Sequence, residues 1–154
     1  MIGCSCEVCT SANQKDQRLR SSILITHNDL SFVIDCGPDF RQQMLDNDVK
    51  KLDAVVFTHS HRDHTAGLDE VRAYNFLQKR DMPLFLTEEC LDVLKGQFAY
   101  IFAKNPYPGI PRVRPEMIDK EAPFSINGLE ITPIEVMHYK MPVLAFRLGD
   151  FAYI

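Results

Sequence analysis

A hexapeptide at residues 59–64, His-Ser-His-Arg-Asp-His, concentrates side chains that bind metal ions. The chain has only five histidines, and three of them lie in this segment. Imidazole and carboxylate groups are suitable ligands for zinc, manganese or iron. We therefore interpret the hexapeptide as a metal-binding loop. The alternative is a solvated polar loop whose histidines have no specific role.

The spacing of the hexapeptide divides its ligands into two pairs. His59 and His61 are two residues apart, so in an extended stretch both side chains point to one side and can hold one ion. Asp63 and His64 lie beyond a bend and could reach a second ion. The hexapeptide follows residues 54–58, an apolar run typical of a strand buried on both faces, and ligands of α/β folds bind at such strand ends.

A second group of candidate ligands lies near the start of the chain, where Cys4, Cys6 and Cys9 crowd into six positions. Cysteines this close rarely bridge each other without strain. Three thiolates provide three quarters of a tetrahedral zinc site, and exposed thiols without a metal are the alternative. This arrangement, within an odd total of five cysteines, favours a reducing compartment, which we take to be the cytoplasm. The fourth ligand stays open between Cys36, Cys90, His27 and a residue outside this chain.

The elements that must position these groups follow a mixed α/β pattern. Hydrophobic patterning and turn residues predict helices over residues 39–47, 65–79 and 88–100. Residues 104–115 contain four prolines, which excludes a regular helix or a central strand there. The same signals predict strands over residues 22–26, 31–35, 54–58, 83–87, 124–126, 129–136, 143–148 and 151–154. The turn residues Asn127-Gly128 and Gly149-Asp150 predict hairpins between the strands that flank them.

Length and composition limit the class of protein. The chain has 154 residues, 45% of them hydrophobic and 25% charged, which is typical of a single compact domain and excludes wholesale disorder. The net charge of −4 makes nucleic acid an improbable partner. No apolar run approaches the roughly 20 residues that cross a bilayer, so we expect no membrane association.

The pattern His-x-His-x-Asp-His after an apolar strand resembles the metallo-β-lactamase superfamily. The resemblance implies that His59 and His61 bind one divalent ion and that Asp63 and His64 bind a second. His138, which follows the predicted strand over residues 129–136, corresponds to the third ligand of the first ion. Asp63 could also act catalytically by orienting the attacking water, although we place its role as a ligand first.

The same resemblance sets expectations for fold and chemistry. It implies an αββα sandwich and a hydrolase that uses a metal-activated hydroxide at a binuclear site holding zinc or manganese. Asp35, which ends the segment Phe-Val-Ile-Asp, corresponds to the acidic residue that supports the metal loop. We expect it to accept a hydrogen bond from a ligand histidine rather than to bind metal itself.

One branch of the superfamily is more similar than the others. Residues 3–11, Gly-Cys-Ser-Cys-Glu-Val-Cys-Thr-Ser, followed by Arg-Leu-Arg-Ser-Ser at residues 18–22, resemble the phosphonate-pathway phosphodiesterases that cleave cyclic ribose phosphates. This resemblance implies a small phosphodiester substrate and a structural zinc at Cys4, Cys6 and Cys9. The alternatives are a superfamily esterase or thioesterase, and a metal-binding fragment that is catalytically incomplete.

The superfamily pattern extends beyond this chain. It includes a bridging aspartate just after a strand like residues 151–154 and a last histidine further on, whereas the chain ends at Ile154. We therefore expect residues 1–154 to form one domain, a fragment covering the first half to two thirds of the sandwich. Such a fragment leaves sheet edges exposed, an arrangement that favours a homodimer.

Overall fold

Two β-sheets stack face to face in the computed structural model, which describes residues 2–104 and 107–154. The first sheet contains β1 (Ile23–His27), β2 (Leu30–Ile34), β3 (Ala54–Val56), β4 (Met82–Leu86) and β5 (Val113–Met117), in that spatial order. The second contains β6 (Phe124–Ile126), β7 (Leu129–His138), β8 (Met141–Leu148) and β9 (Phe151–Tyr153). The helices are α1 (Phe40–Asp46), α2 (Arg62–Thr65), α3 (Arg72–Gln78) and α4 (Glu88–Gln97), with 3-10 turns at Gln14–Asp16 and Leu68–Val71.

The first sheet explains where the candidate ligands gather. Its β1 and β2 form an antiparallel hairpin, and β2, β3, β4 and β5 run parallel to one another. The carboxyl ends of the parallel strands therefore meet at one edge. Asp35 follows β2 at this edge, and the segment leading to the hexapeptide follows β3.

Two hydrophobic cores lie on opposite faces of the first sheet. Val33 and Val55 point toward the helices, where they pack with side chains such as Phe40 of α1. Phe32 and Ile34 point the other way, toward the second sheet. Successive strand residues alternate between faces, so a strand covered on both sides must be apolar throughout. The described residues thus form a helix layer and two sheet layers, and the predicted mixed α/β class is confirmed.

The helix predicted over residues 65–79 is divided in the structure. It is replaced by α2, a 3-10 turn at Leu68–Val71 and α3. The division occurs at Gly67, whose N–H donates to the carbonyl of Cys36 over 2.8 Å. A Cβ at Gly67 would lie 2.3 Å from the carbonyl oxygen of Gly37, so the two backbone segments can approach this closely only if residue 67 is glycine.

Two strands differ from the sequence-based expectation. β5 contains Pro115 and was not predicted, but it lies at the edge of its sheet, where a residue without an N–H is tolerated. β7 continues to His138, which pairs with Met141 of β8, instead of ending at residue 136. The predicted hairpins around Asn127 and Gly149 are confirmed. In the part of the chain that the structure describes, no helix has the length and apolar character needed to span a membrane.

Candidate metal centre

Three imidazoles converge where the two sheets meet. His59 and His61 lie in the segment after β3, and His138 is the last residue of β7. One nitrogen of each ring lies within 4.8 Å of one nitrogen of the other two. The N–H of Leu144 donates to the carbonyl of Thr58 over 3.0 Å, which ties β8 to this segment. The fold therefore brings together the three residues that the sequence assigned to one ion.

His59 has one ring nitrogen engaged and one that lacks a partner. Its Nδ1–H donates to Thr58 Oγ1 over 2.9 Å, and that hydroxyl donates to Asp35 Oδ2 over 2.8 Å. The lone pair of the ring is therefore on Nε2, which is buried and has no hydrogen-bond partner in the part of the chain that the structure describes. Burial, reinforced by the positive potential of His64, lowers the pKa of His59 to about 4. A neutral imidazole whose lone pair lies on a buried, unpartnered nitrogen suits a metal ion.

Asp35 is fully buried behind the histidines. Its Oδ1 accepts from the backbone N–H of Thr58 over 2.9 Å, and its Oδ2 accepts from His64 Nδ1 over 2.7 Å. The hydrogen bond to Asp35 raises the pKa of His64 and keeps the proton on Nδ1, so Nε2 faces outward. Asp35 thus orients His64 directly and His59 through Thr58, from the place where the sequence predicts a supporting carboxylate.

Asp63 and His64 lie beside the three-histidine group and are not part of it. The His64 and His59 ring centroids are 4.2 Å apart, and His64 Nε2 is 3.8 Å from Asp63 Oδ2. The Asp63 side chain is 47% exposed. These two groups therefore offer a nitrogen and an oxygen next to the first set of ligands.

The hexapeptide is held against the first sheet by backbone contacts. The N–H of Cys36 donates to the carbonyl of His64 over 2.8 Å. A Cβ at Gly37 would lie 2.2 Å from the carbonyl oxygen of Asp63, so the two backbones approach as closely as glycine allows. The guanidinium of Arg62 lies 5.1 Å from the ring centroid of Phe98, on the helix side of the loop. These contacts therefore hold the loop in place independently of its metal-binding side chains.

A cleft of about 320 Å³ opens over the histidines, with Ser21 and Tyr153 among its lining residues. A second cleft of about 360 Å³ shares His59 and Thr58 with the first and contains the ion pair between Lys120 and Glu135. Both volumes are in the range of small-molecule sites. The candidate ligands are therefore accessible to a small substrate.

The three N-terminal thiols also form a group, with their sulfur atoms within 4.8 Å of one another. Hydrogen bonds from the backbone of Cys9 and the side chain of Cys4 lower the pKa of Cys6 to about 7. Within the described residues, no fourth ligand joins this group. Of the alternatives considered for it, Cys36 and Cys90 are buried in the core on the helix side, and His27 is exposed at the end of β1.

Two residues near the centre were not identified from the sequence. Thr58 relays the hydrogen bond between His59 and Asp35, and its only signal was a hydroxyl directly before the first histidine. Arg20 lies close to Asp63, with Nη1 4.0 Å from Oδ2. The sequence feature that could have identified Arg20 is the segment at residues 18–22, which resembles the phosphodiesterase branch but was given no chemical role.

Comparison with known proteins gives a family match over residues 31–154, described as a beta-lactamase superfamily domain. An octanoyltransferase of Porphyromonas gingivalis is 38% identical over 154 residues, which are 99% of this chain and 31% of that protein. The anti-Pycsar protein Apyc1 of Bacillus phage BSP38 is 34% identical over 67 residues, 42% of this chain and 26% of the phage protein.

Among solved structures, a diphosphatase from the PhnP family superimposes with a TM-score of 0.88 and 35% identity. The match covers 99% of this chain and 57% of the diphosphatase. The chain therefore spans less than two thirds of the length of each of these three proteins. The metallo-β-lactamase-like fold predicted from the hexapeptide is confirmed.

Proposed function

The chain belongs to the beta-lactamase superfamily, and from this premise we propose that it is a metal-dependent hydrolase that cleaves a phosphodiester. The observation that carries the proposal is the buried His59 Nε2, which has no hydrogen-bond partner among the described residues although its ring converges with those of His61 and His138. A polar atom left in this state inside a folded protein needs a partner, and a divalent cation is the partner that three imidazoles select.

The donor set fits two ions of the kind that superfamily hydrolases use. His59, His61 and His138 would hold the first ion, and Asp63 with His64 would contribute to a second. Imidazole and carboxylate ligands suit zinc and manganese alike. When bound, such ions supply a Lewis acid that activates water and neutralises charge on phosphoryl oxygens.

The residues of this chain prepare the centre for that chemistry. Asp35 and Thr58 accept hydrogen bonds from Nδ1 of His64 and of His59, which leaves Nε2 of each ring as the atom that would bind a metal ion. Because Gly37 has no side chain, the Asp63 backbone can lie directly against it. The role of Asp63 beyond that of a ligand is to orient the attacking water.

The substrate class rests on a comparison and on charge. The neighbour with 35% identity and a TM-score of 0.88 is a diphosphatase, which supports hydrolysis at phosphorus over hydrolysis of a carboxylic ester. The clefts beside the histidines have the size of a small-molecule site. The net charge of −4 disfavours long nucleic acid. We therefore propose a small phosphodiester as the substrate.

The three thiols are proposed to bind a separate structural zinc. Their convergence and the lowered pKa of Cys6 support thiolate ligation at neutral pH. Because accessible thiols persist in a reducing environment, this assignment goes with a cytoplasmic location.

Hydrolysis of bis(p-nitrophenyl) phosphate by zinc- or manganese-loaded protein tests the proposal. We expect turnover that stops with a chelator and falls more than about 100-fold in His59→Ala, because a metal ligand is lost. His27→Ala is the matched control, since His27 is exposed and lies outside the centre. Equal rates in His59→Ala and the wild type would refute the proposal. Turnover of p-nitrophenyl acetate without turnover of the diester would favour the esterase alternative.

A further inference from the structure

Three consecutive residues of the segment at residues 18–22 reach the candidate metal centre, although no role has been assigned to them. Arg20 approaches Asp63, Ser21 lines the cleft over the histidines, and the Ser22 hydroxyl donates to the carbonyl of Asp35 over 2.8 Å. A segment that only connected the cysteines to β1 would not need all three contacts. Its position suggests a part in the site itself.

The backbone of Arg20 is fixed by the start of α1. Its N–H donates to Asp39 Oδ2 over 2.7 Å, and its carbonyl accepts from Gln43 Nε2 over 2.7 Å. Its Cβ lies 3.4 Å from the position that a Cβ would take at Gly37. Because the backbone is held at both its N–H and its carbonyl, only the Arg20 side chain can adjust, and it extends toward Asp63.

The guanidinium of Arg20 keeps most of its donors available. Its Nη1 is 4.0 Å from Asp63 Oδ2, the outer limit of an ion pair, and the side chain is 63% exposed. A guanidinium has five N–H donors, so this distant contact leaves most of them available beside Asp63. Arginine binds phosphoryl oxygens through two parallel hydrogen bonds, which makes a phosphoryl group its natural ligand here.

We propose that Arg20 is a specificity-determining residue that binds a phosphoryl oxygen of the substrate at the edge of the metal centre. The inference rests on the proposed function, since it needs phosphorus chemistry at the histidines. Arg20 then discriminates a charged phosphoryl group from a neutral carboxylic ester. The competing explanation is purely structural, with Arg20 holding the Asp63 carboxylate in place for the metal.

Calorimetric titration of zinc-loaded protein with inorganic phosphate tests the proposal without relying on turnover. We expect Arg20→Met to weaken phosphate binding about tenfold, the size of a lost charge-assisted hydrogen bond, with unchanged metal content. Arg20→Lys should bind with intermediate affinity, because an ammonium retains the charge but not the planar pair of donors. Arg18→Met is the matched control, since it removes the same charge from an exposed position two residues away.

The outcomes separate this inference from the proposed function. The proposal for Arg20 is supported if Arg20→Met loses phosphate affinity and keeps its metal, while Arg18→Met binds phosphate like the wild type. Three results overturn it: no phosphate binding by the wild type, equal binding by Arg20→Met and the wild type, or loss of metal from the histidine centre in Arg20→Met. Hydrolysis of bis(p-nitrophenyl) phosphate by the wild type, measured in parallel, tests the proposed function independently of these results.

Discussion

The histidine centre and the cysteine cluster both gather metal-binding side chains, but they are assembled differently. The histidine centre draws its ligands from the segment after β3 and from the end of β7, and a fully buried Asp35 orients His59 through Thr58 and the adjacent His64 directly. The cysteine cluster takes Cys4, Cys6 and Cys9 from one short segment, and Cys6 and Cys9 are exposed. In the first the fold supplies the geometry, whereas in the second the sequence spacing supplies it.

This difference has consequences for how the two sites respond to change. Ligands placed by buried strands are preorganised, so residues that never touch the metal contribute to its affinity. Ligands placed by an exposed turn depend on little beyond their own side chains. The histidine centre should therefore be sensitive to its supporting residues, and the cysteine cluster should be indifferent to them.

Asp35→Asn should give the largest difference between the two sites, because it should weaken metal binding at the histidine centre and leave the cysteine cluster unchanged. The amide loses one acceptor at the point where Thr58 and His64 both donate, so we expect metal affinity at the histidine centre to fall by about 10–100-fold. Competition with a chromophoric chelator measures this affinity. Zinc at the cysteine cluster should be retained. Asp46→Asn, an exposed position on α1, is the control, and equal affinities in the two variants would contradict the supporting role of Asp35.

A smaller effect, on stability, is expected from Gly37→Ala. The new Cβ would lie 2.2 Å from the carbonyl oxygen of Asp63, a backbone atom that can move only with the loop. We expect the free energy of unfolding in urea to fall by about 1–3 kcal/mol. Gly96→Ala, on α4 with open space around it, should instead raise it by up to about 1 kcal/mol. A loss of similar size in both variants would show that the close approach at Gly37 is unimportant.

The smallest effect on the histidine centre is expected from Cys6→Ser. Removing one of three thiolates should release zinc from the cysteine cluster and lower the melting temperature by about 2–4 °C. Metal at the histidines and hydrolysis of the diester should not change, because no contact of the histidine centre passes through Cys6. Elemental analysis and thermal melting measure the two effects, with Ser5→Ala as the control. Unaltered zinc and an unaltered melting curve would refute the structural-zinc proposal.

The parts of the molecule that were predicted from sequence are those with strong local signals. The hexapeptide and its apolar strand identified the fold, and Asn127 with Gly128 identified a hairpin that the structure confirms. The strand β5 was missed because the four prolines of residues 104–115 argue against regular structure, and only its place at the sheet edge makes Pro115 acceptable.

The rest depends on contacts between residues far apart in the chain. The break in the helix predicted over residues 65–79 comes from the approach of Gly67 to Gly37, which cannot be predicted from the residues near Gly67 in the sequence. The same holds for Thr58, whose relay to Asp35 spans two strands, and for Arg20, which reaches Asp63 from the segment before β1. Hydrophobic periodicity within a segment does not predict contacts between distant segments, and such contacts position the side chains of the site.

The central claim is that the three imidazoles hold a divalent metal ion, and metal content tests it most directly. The protein would be purified without added metal or chelator and measured by elemental mass spectrometry, together with His59→Ala and His27→Ala. We predict two to three metal ions per chain in the wild type and in His27→Ala, and at least one fewer in His59→Ala. Metal content that is the same in all three proteins, or below one ion per chain in the wild type, would contradict the account.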